Sequence, residues 1–182
     1  VLKGLWAEGP FSFEGEHYRI TDMDGSPAPH RPGGPPILVG GGGPRLLRWA
    51  GATADIVGVN ASIHSGEIDR DAARDALADR IDQKVAWVRE GAGDRFDDLE
   101  LNAWLAVAEI TDDAAVVEGI AALFGTDPTS LLQSPLALVG SPGGVAEALH
   151  ERRERWGYSY HVIPGDKARD FAPTVAALTG SE

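Results

Sequence analysis

Four consecutive glycines, Gly40–Gly43, are the chemically most informative stretch of the sequence. They follow the apolar run Ile37–Val39, which predicts a buried strand, and they precede Pro44, a residue typical of the first position of a helix. The unpaired N–H groups of a helix's first turn and the positive end of its dipole attract an anion, and glycine lets the backbone approach a phosphate closely. A strand, a glycine loop and a helix in this order therefore predict an anion site.

The same stretch matches neither of the two common nucleotide-binding motifs. No Gly-Lys-Ser/Thr follows, so it is not a Walker A loop, and counting from Gly41 puts the third glycine of a dinucleotide fingerprint on Leu46. A tight connection between strand and helix that binds nothing is the alternative interpretation.

Further candidates lie at the ends of other predicted strands. Asn60 ends the apolar run that begins at Ala54, and it is either a polar group of a site or a turn residue. Asn102 and Trp104 share one face of a strand because they are two residues apart, and Trp104 is either a pocket residue or part of the core.

No metal site is predicted. None of the histidines has the spacing of metal ligands, and no pattern of paired carboxylates accompanies them; the five are His17, His30, His64, His150 and His161. The acidic residues between Asp69 and Asp82 alternate with arginines and predict a solvated helix face, and Ser141 is a helix cap rather than a nucleophile.

The composition is that of a globular protein. The chain has 182 residues, of which 43% are hydrophobic and 24% charged, and its net charge of −12 argues against nucleic acids and anionic membranes as partners. It contains no cysteine, which excludes disulfides and thiolate chemistry. No apolar run approaches about 18 residues and no secretion signal is recognisable, so we expect a cytoplasmic protein.

Strands and helices alternate along the chain. A β-hairpin is expected around Glu14–Glu16, a Pro- and Gly-rich loop follows to residue 36, and β/α units fill 37–182, all in a single domain. Four strands are predicted at Ile37–Val39, Ala54–Asn60, Leu99–Ile110 and Tyr158–Ile163. The helices between them are predicted after Pro44, over Glu67–Glu90, over Ala114–Phe124 with Thr111 or Asp112 as its cap, from Val145 to Trp156 and over Phe171–Leu178. This alternation predicts an α/β fold with a parallel sheet.

Five motifs in this order resemble the luciferase-like monooxygenase superfamily, most closely its oxidoreductases that use the deazaflavin coenzyme F-420. They are Gly15–Ile20, Pro35–Arg45, Ala54–Val57, Gly91–Leu101 and Val139–Val145, and together they cover nearly the whole chain. The resemblance implies a (β/α)8 TIM barrel, of which this chain looks like the C-terminal half, about four β/α units plus the N-terminal hairpin.

The resemblance also implies a function for the glycine stretch. In the superfamily, the matching loop lies against the phosphate of coenzyme F-420 or, alternatively, of FMN, so it implies a cofactor-binding set of Gly40, Gly41, Gly42, Gly43 and Arg45. Gly42 and Gly43 would be the main backbone donors, and Arg45 either adds charge or is a solvated side chain. No catalytic residue is transferred, because the family's first half supplies much of the cofactor pocket.

Three functional interpretations remain open at this point. The resemblance implies that the chain is part of a flavin- or deazaflavin-dependent oxidoreductase, which transfers hydride to or from a small-molecule organic substrate or oxygenates it. The alternatives are a phosphate- or nucleotide-binding module without catalysis and an inactive fragment. Half a barrel leaves two strand edges and an apolar sheet face uncovered. We therefore expect either an upstream half, in line with a chain that starts at Val1 and has Met23 as its only methionine, or a homo-oligomer.

Overall fold

The computed structural model of the protein describes residues 1–63, 66 and 69–179. The loop histidine His64 and the first residues of the predicted helix, Glu67 and Ile68, lie outside the described residues. The chain divides into two compact units, Val1–Ile37 and Leu38–Glu182. The expectation of a single domain remains a prediction.

The first unit contains a short helix and a hairpin. Its elements are α1 (Leu2–Leu5), β1 (Phe11–Glu14) and β2 (Arg19–Met23). The strands β1 and β2 are antiparallel, with Phe13 opposite Ile20 and Glu14 opposite Arg19. The hairpin predicted around Glu14–Glu16 is confirmed.

The second unit alternates strands and helices. In chain order its elements are β3 (Leu38–Gly41), α2 (Pro44–Thr53), β4 (Ile56–Val59), α3 (Arg70–Asp75), α4 (Ala78–Ala92), β5 (Glu100–Trp104), β6 (Val107–Ile110), α5 (Ala114–Phe124), α6 (Pro128–Gln133), β7 (Ala137–Gly140), α7 (Pro142–Trp156), β8 (Tyr158–Val162) and α8 (Ala168–Leu178). Two 3-10 helices lie at Gly93–Asp98 and Gly165–Lys167.

The main sheet has four parallel strands in the order β3-β4-β5-β8. They correspond to the four strands predicted from the sequence. A second sheet, also parallel, consists of β6 and β7. The predicted α/β fold with a parallel sheet is confirmed, and within the described residues the strands form an open arrangement rather than a closed barrel.

One face of the main sheet packs against α2 and α4 to form the largest hydrophobic core. Val57 and Val59 of β4 contact a layer of fully buried helix side chains that includes Leu47 and Val88. The two helices cross closely, because a Cβ atom at Gly91 would lie only 2.0 Å from the carbonyl oxygen of Arg48. A residue without a side chain is therefore required at this crossing.

The opposite face of the main sheet carries large side chains that remain accessible. Leu38, Trp104 and Tyr160 are 45%, 46% and 39% exposed. Their strand positions place Leu38 opposite Ile56 and Asn102 opposite Tyr160 in the ladder. An apolar sheet surface is thus available for covering by further polypeptide.

The stretch Leu99–Ile110, predicted as one strand, is two. The chain changes partners at its centre, because the Leu105 N–H donates to the Val162 carbonyl and the Ala106 N–H to the Leu136 carbonyl. The second half then pairs with β7, a strand that was not predicted. The run Ala137–Gly140 has only four residues, which is too short to predict a strand from local sequence, and the pairing that stabilises it is non-local.

The predicted helix over Glu67–Glu90 is also divided. Leu77 adopts an extended conformation (φ −68°, ψ 157°) and becomes the N-cap of α4, so α3 ends before it. The carbonyl of Ala76 accepts a hydrogen bond from Ser134 Oγ at 2.8 Å, a tertiary contact invisible in the local sequence. The cap of α5 is Asp113, whose side chain accepts the Ala115 N–H, rather than Thr111 or Asp112. No helix of the described part is long and apolar enough to cross a membrane.

Candidate functional site

The glycine stretch is divided between a strand and a loop. Gly40 and Gly41 belong to β3, and the carbonyl of Gly41 accepts the Asn60 N–H at 2.9 Å. Only Gly42 and Gly43 form the connection to α2. The expectation that all four glycines form the loop is therefore wrong, because β4 pairs with β3 as far as Gly41.

The N-terminus of α2 has no side-chain cap. Its N-cap is Gly43 and its first residue is Pro44, as predicted. The helices α4 and α8 likewise have no side-chain cap, whereas α3, α5, α6 and α7 are capped by the side chains of Asp69, Asp113, Asp127 and Ser141. The first-turn N–H groups that a cap would occupy, together with the positive end of the dipole, thus remain available to an anion.

Gly42 is fixed by its contact with the loop that follows β4. A Cβ atom at Gly42 would lie 2.6 Å from the Ser62 nitrogen and 2.7 Å from Ser62 Oγ. A Cβ at Gly43 would have no neighbour within 4 Å, and the backbone there (φ −101°, ψ 154°) is one that any residue adopts. Close packing against Ser62 therefore requires a glycine at position 42, whereas Gly43 borders open space next to the helix N-terminus.

A buried ion pair holds the loop after β4 in place. The Lys84 side chain is 0% exposed, and its Nζ donates to the Asn60 carbonyl at 2.8 Å and to Asp75 Oδ2 at 2.5 Å. The same carboxylate oxygen accepts the Ser62 N–H at 2.8 Å. Both ends of the Asn60–Ser62 segment are thus fixed through Lys84 and Asp75.

The two partners of this ion pair shift differently, because burial lowers the pKa of Lys84 below its ordinary value although the hydrogen bond and charge of Asp75 act against it, whereas the Asp75 carboxyl is held in its charged form. Burial raises the pKa of the Asp75 carboxyl, but hydrogen bonds from Lys84 and Ser62, the positive charge of Lys84 and the hydrogen bond from Arg80 outweigh burial and lower that pKa below its ordinary value. Asp75 is therefore ionised at neutral pH.

Two carboxylates and one cation line a hollow of about 300 Å³ beside the glycine loop; they are Asp71, Asp75 and Arg80, and Gly42, Gly43 and Ser62 also line it. Asp75 is paired with Arg80 and with the buried Lys84, and Asp71 is paired with Arg74. Both carboxylates of the hollow are thus engaged in ion pairs.

Arg45 is exposed in the first turn of α2 and lines a separate shallow surface with Gly43, Leu46 and Trp49. Among the described residues it has no ion-pair partner. Both interpretations of Arg45, a charge at the anion site and a solvated side chain, are compatible with this position.

The other strand-end candidates have different environments. Asn102 is 4% exposed and its Nδ2 donates to the Tyr160 carbonyl at 3.1 Å. Trp104, by contrast, is 46% exposed and lines a small cavity together with Asn60. The pocket interpretation therefore holds for Trp104, and the core interpretation is wrong for it.

The structure describes four of the five histidines, and each of them lies in its own local environment. His17, His30 and His150 are exposed, and His161 is a partly buried residue of β8. Within the described ranges, no group of three or more His, Asp or Glu side chains is arranged to hold a metal ion. Ser141 is the N-cap of α7, as predicted, with its Oγ accepting the Gly144 N–H.

Sequence reasoning missed the residues that shape the glycine loop from a distance. Asp75 and Arg80 were assigned to a solvated helix face, and Ser62 and Lys84 were not singled out. The sequence contained one signal for Lys84. It lies at the spacing of the buried positions Ile81, Val85 and Val88 and so interrupts an apolar helix face. Only the tertiary structure shows which carboxylate pairs with it.

The fold and the site together define a parallel β/α protein in which a helix N-terminus without a side-chain cap follows the carboxyl end of the first parallel strand. Residues 1–79 match the family model described as luciferase-like monooxygenase. A segment of 55 residues is 38% identical to an F420-dependent glucose-6-phosphate dehydrogenase from Kineococcus radiotolerans; it makes up 30% of this chain and 16% of that relative.

Solved structures show the same fold. A coenzyme F420 dependent tetrahydromethanopterin reductase from Methanopyrus kandleri has a TM-score of 0.66 at 17% identity over 99% of this chain. A monooxygenase from Streptomyces bottropensis has a TM-score of 0.60 at 18% identity over 98% of this chain. The chain spans 59% of the length of each of these two structures.

Residues 1–79 are therefore similar to the luciferase-like monooxygenases, and a 55-residue segment is similar to an F420-dependent dehydrogenase, in line with the resemblance that the motifs indicated. The fold of the chain corresponds to part of their barrel-type architecture.

Proposed function

We propose that the chain is the phosphate-binding part of a coenzyme F-420-dependent oxidoreductase, with FMN as the alternative cofactor. The observation that carries the proposal is the uncapped N-terminus of α2 behind Gly42–Gly43, with open space at Gly43. The cofactor's phosphate would accept hydrogen bonds from the first-turn N–H groups of α2. Arg45 would add positive charge at the same helix end.

The chemistry itself would come from the cofactor ring. When bound, either cofactor supplies two-electron transfer to or from an organic substrate, or oxygen activation in the case of FMN. The described residues would contribute orientation. Lys84 and Asp75 hold the Asn60–Ser62 segment against Gly42, which keeps the loop shaped for the phosphate.

Titration of the purified chain with coenzyme F-420, FMN and inorganic phosphate tests the proposal. Binding is measured by fluorescence for the two cofactors and by calorimetry for phosphate. We expect coenzyme F-420 to bind more tightly than phosphate alone. If neither cofactor binds a folded sample at millimolar concentration, the proposal is wrong, and binding without turnover would favour the non-catalytic module.

Gly43→Val is the sharpest variant, because its side chain would enter the open space beside the helix N-terminus without meeting protein atoms. We expect a loss of cofactor affinity of about tenfold or more, equivalent to about 1.4 kcal/mol. Gly143→Val is the matched control, since a Cβ at Gly143 also meets no atom within 4 Å. Equal affinities of the two variants would contradict the assigned position of the phosphate.

Self-association remains a second proposal for the same chain. It is supported by the accessible apolar face with Leu38, Trp104 and Tyr160, and by β3 and β8, which form the two edges of the main sheet as described. Light scattering of the purified chain measures the mass directly. A stable monomer would rule out a homo-oligomer.

A further inference from the structure

Two asparagine side chains lie close together on the face of the main sheet that α2 and α4 do not cover. They are the only asparagines in the chain, Asn60 directly after β4 and Asn102 in β5. A Cβ atom on Gly58 would lie 3.3 Å from Asn60 Nδ2 and 3.4 Å from Asn102 Oδ1. A hydrogen-bond donor and an acceptor therefore lie beside the same point of β4.

These two atoms are without partners and remain accessible to solvent. Neither Asn60 Nδ2 nor Asn102 Oδ1 forms a hydrogen bond to a described residue, and the two do not bond to each other. The described side-chain atoms that are both unpartnered and shielded from solvent are Asn60 Oδ1, Arg152 Nη1, His161 Nε2 and Thr174 Oγ1. Because Asn60 Nδ2 and Asn102 Oδ1 are not among them, a ligand can contact both atoms.

Both asparagines are held in place before any ligand binds. Asn102 is 4% exposed, and its Nδ2 donates to the Tyr160 carbonyl at 3.1 Å, which leaves Oδ1 as the free atom of that amide. The backbone carbonyl of Asn60 accepts a hydrogen bond from Lys84 Nζ at 2.8 Å. Little ordering of the protein is therefore needed when a ligand binds between the two side chains.

Two glycines leave room beside the asparagines. Gly40 lies opposite Gly58 in the ladder and Gly58 lies opposite Asn102, so two neighbouring strands carry no side chain at this level of the sheet. Glycine within a strand is typical of a position at which a ligand or another backbone approaches closely. Gly58 is buried and Gly40 is exposed, so the approach to the asparagines lies over Gly40.

The chemistry of the two free atoms selects among ligand groups. A carboxylate would place negative charge against Asn102 Oδ1, and an ammonium group would offer no acceptor to Asn60 Nδ2. The residues that lie side by side across the four strands here carry no charge that would compensate either group; they are Gly40, Gly58, Asn102 and Tyr160. A neutral group that both donates and accepts is therefore required.

An amide is such a group, and its geometry matters. Because the donor and the acceptor of the protein lie beside one point, the N–H and C=O of the ligand have to lie on the same side, as in a lactam or a primary carboxamide. A hydroxyl group also donates and accepts, but a single oxygen would have to reach both asparagines. The flat backbone at the two glycines suits the planar amide.

We propose that Gly40, Gly58, Asn60 and Asn102 form a binding site for a lactam or primary carboxamide, which we call the amide site. The ligand carbonyl accepts a hydrogen bond from Asn60 Nδ2, and the ligand N–H donates to Asn102 Oδ1. The amide site is separate from the open space at Gly43 and the first turn of α2, so it goes beyond the phosphate binding proposed above.

Three six-membered rings test the two hydrogen bonds. The chain is titrated without cofactor with 2-piperidone, with N-methyl-2-piperidone, which lacks the N–H, and with cyclohexanol, which has a hydroxyl group instead of the amide. Binding is followed by NMR of the side-chain amides. The chain has only two asparagines and two glutamines, so Gln83 and Gln133 provide internal controls.

We expect 2-piperidone to bind about fivefold more tightly than N-methyl-2-piperidone, the effect of one hydrogen bond, and to shift the Asn60 and Asn102 signals but not those of the glutamines. Equal affinity of the two lactams would overturn the role of Asn102. Cyclohexanol binding as tight as that of 2-piperidone would overturn the assignment of an amide ligand.

Gly40→Val tests the location, because a Cβ at Gly40 would lie 3.2 Å from Asn60 Nδ2 on the exposed approach. We expect it to weaken 2-piperidone binding by about tenfold or more, equivalent to about 1.4 kcal/mol. Ser159→Val, at an exposed position of the other edge strand β8, is the control and should bind as the unmodified chain does. Unchanged binding in Gly40→Val would place the lactam elsewhere and refute the proposal.

Asn102→Leu should bind the two lactams equally, because it removes the acceptor of the ligand N–H. If this variant does not fold, the comparison of the two lactams on the unmodified chain still decides the question. Cofactor titration is a separate measurement. Cofactor binding without lactam binding would refute the amide site only, and lactam binding without cofactor binding would refute the phosphate site only.

A competition experiment identifies the source of the amide group, and it alone rests on the proposed function. The pyrimidinedione ring of coenzyme F-420 has adjacent N–H and C=O groups, and so does an organic substrate that carries a lactam or carboxamide. The 2-piperidone titration is therefore repeated with saturating coenzyme F-420. Competition would assign the amide site to the cofactor ring, and independent binding would assign it to a separate substrate.

Discussion

The acid stability of the protein should depend on one histidine, His161. This residue lies in β8, its ring packs 5.9 Å from that of Tyr158, and its Nε2 is shielded from solvent without a partner in the described residues. Burial and the positive charge of Arg152 lower the pKa of His161 from 6.5 to about 4. His161 is therefore neutral in the folded protein at neutral pH.

The sign of the effect follows from proton binding in the two states. Below pH 6.5 the unfolded chain takes up a proton at His161, whereas the folded chain does not until about pH 4, so stability falls as the pH is lowered through this window. The difference between 6.5 and about 4, at about 1.4 kcal/mol per pH unit, gives about 3 kcal/mol at most. His161→Phe removes this proton uptake and keeps an aromatic ring of similar size.

Urea unfolding followed by circular dichroism, between about pH 4.5 and 7.5, measures the free energy of unfolding at each pH. We expect a slope approaching about 1.4 kcal/mol per pH unit in the unmodified chain and a flatter profile in His161→Phe. His150→Gln, at an exposed helix position, should leave the slope unchanged. Parallel profiles for the unmodified chain and His161→Phe would refute a buried neutral histidine.

Two further substitutions test the packing that supports the site. Gly91→Ala would place a Cβ 2.0 Å from the Arg48 carbonyl oxygen, so we expect a loss of about 1–3 kcal/mol by urea unfolding, whereas Gly119→Ala in α5, with open space, should be neutral or stabilising. Lys84→Met removes charged hydrogen bonds to Asp75 and Asn60 and should cost about 1.5–3 kcal/mol. Its control, Arg74→Met, removes only the exposed pair with Asp71 and should cost less than about 1 kcal/mol. Equal losses within either pair would contradict the packing described.

The order of strands and helices was predictable because each signal is local. Apolar β-branched runs gave the four strands of the main sheet, and the caps or first-turn prolines of α2 and α7 gave their starts. The predicted element boundaries were wrong where contacts with residues distant in sequence determine the local structure. The strand at Leu99–Ile110 divides because its second half pairs with β7, and the break at Leu77 accompanies a bond from Ser134 to the preceding carbonyl.

The same distinction between local and long-range contacts applies to the candidate site. The glycine loop and the start of α2 are contiguous in sequence, and the sequence alone predicted both. The supporting residues are not contiguous with the loop. Lys84 lies 24 positions from Asn60, to whose carbonyl it donates, and Asp75 lies 13 positions from Ser62, whose N–H donates to its carboxylate. Asp75 was assigned to a solvated helix face, whereas Lys84 has the spacing of the buried positions of α4, and only the fold shows that the two side chains pair beside the loop.

Lys84 acts on the glycine loop only through other residues. Its Nζ donates to the Asn60 carbonyl and to Asp75, and Asp75 in turn accepts the Ser62 N–H. Ser62 is the residue that a Cβ atom at Gly42 would meet at 2.6 Å. A substitution of Lys84 therefore removes the contacts that hold Asn60 and Ser62 beside Gly42, although Lys84 is distant from the glycines in sequence.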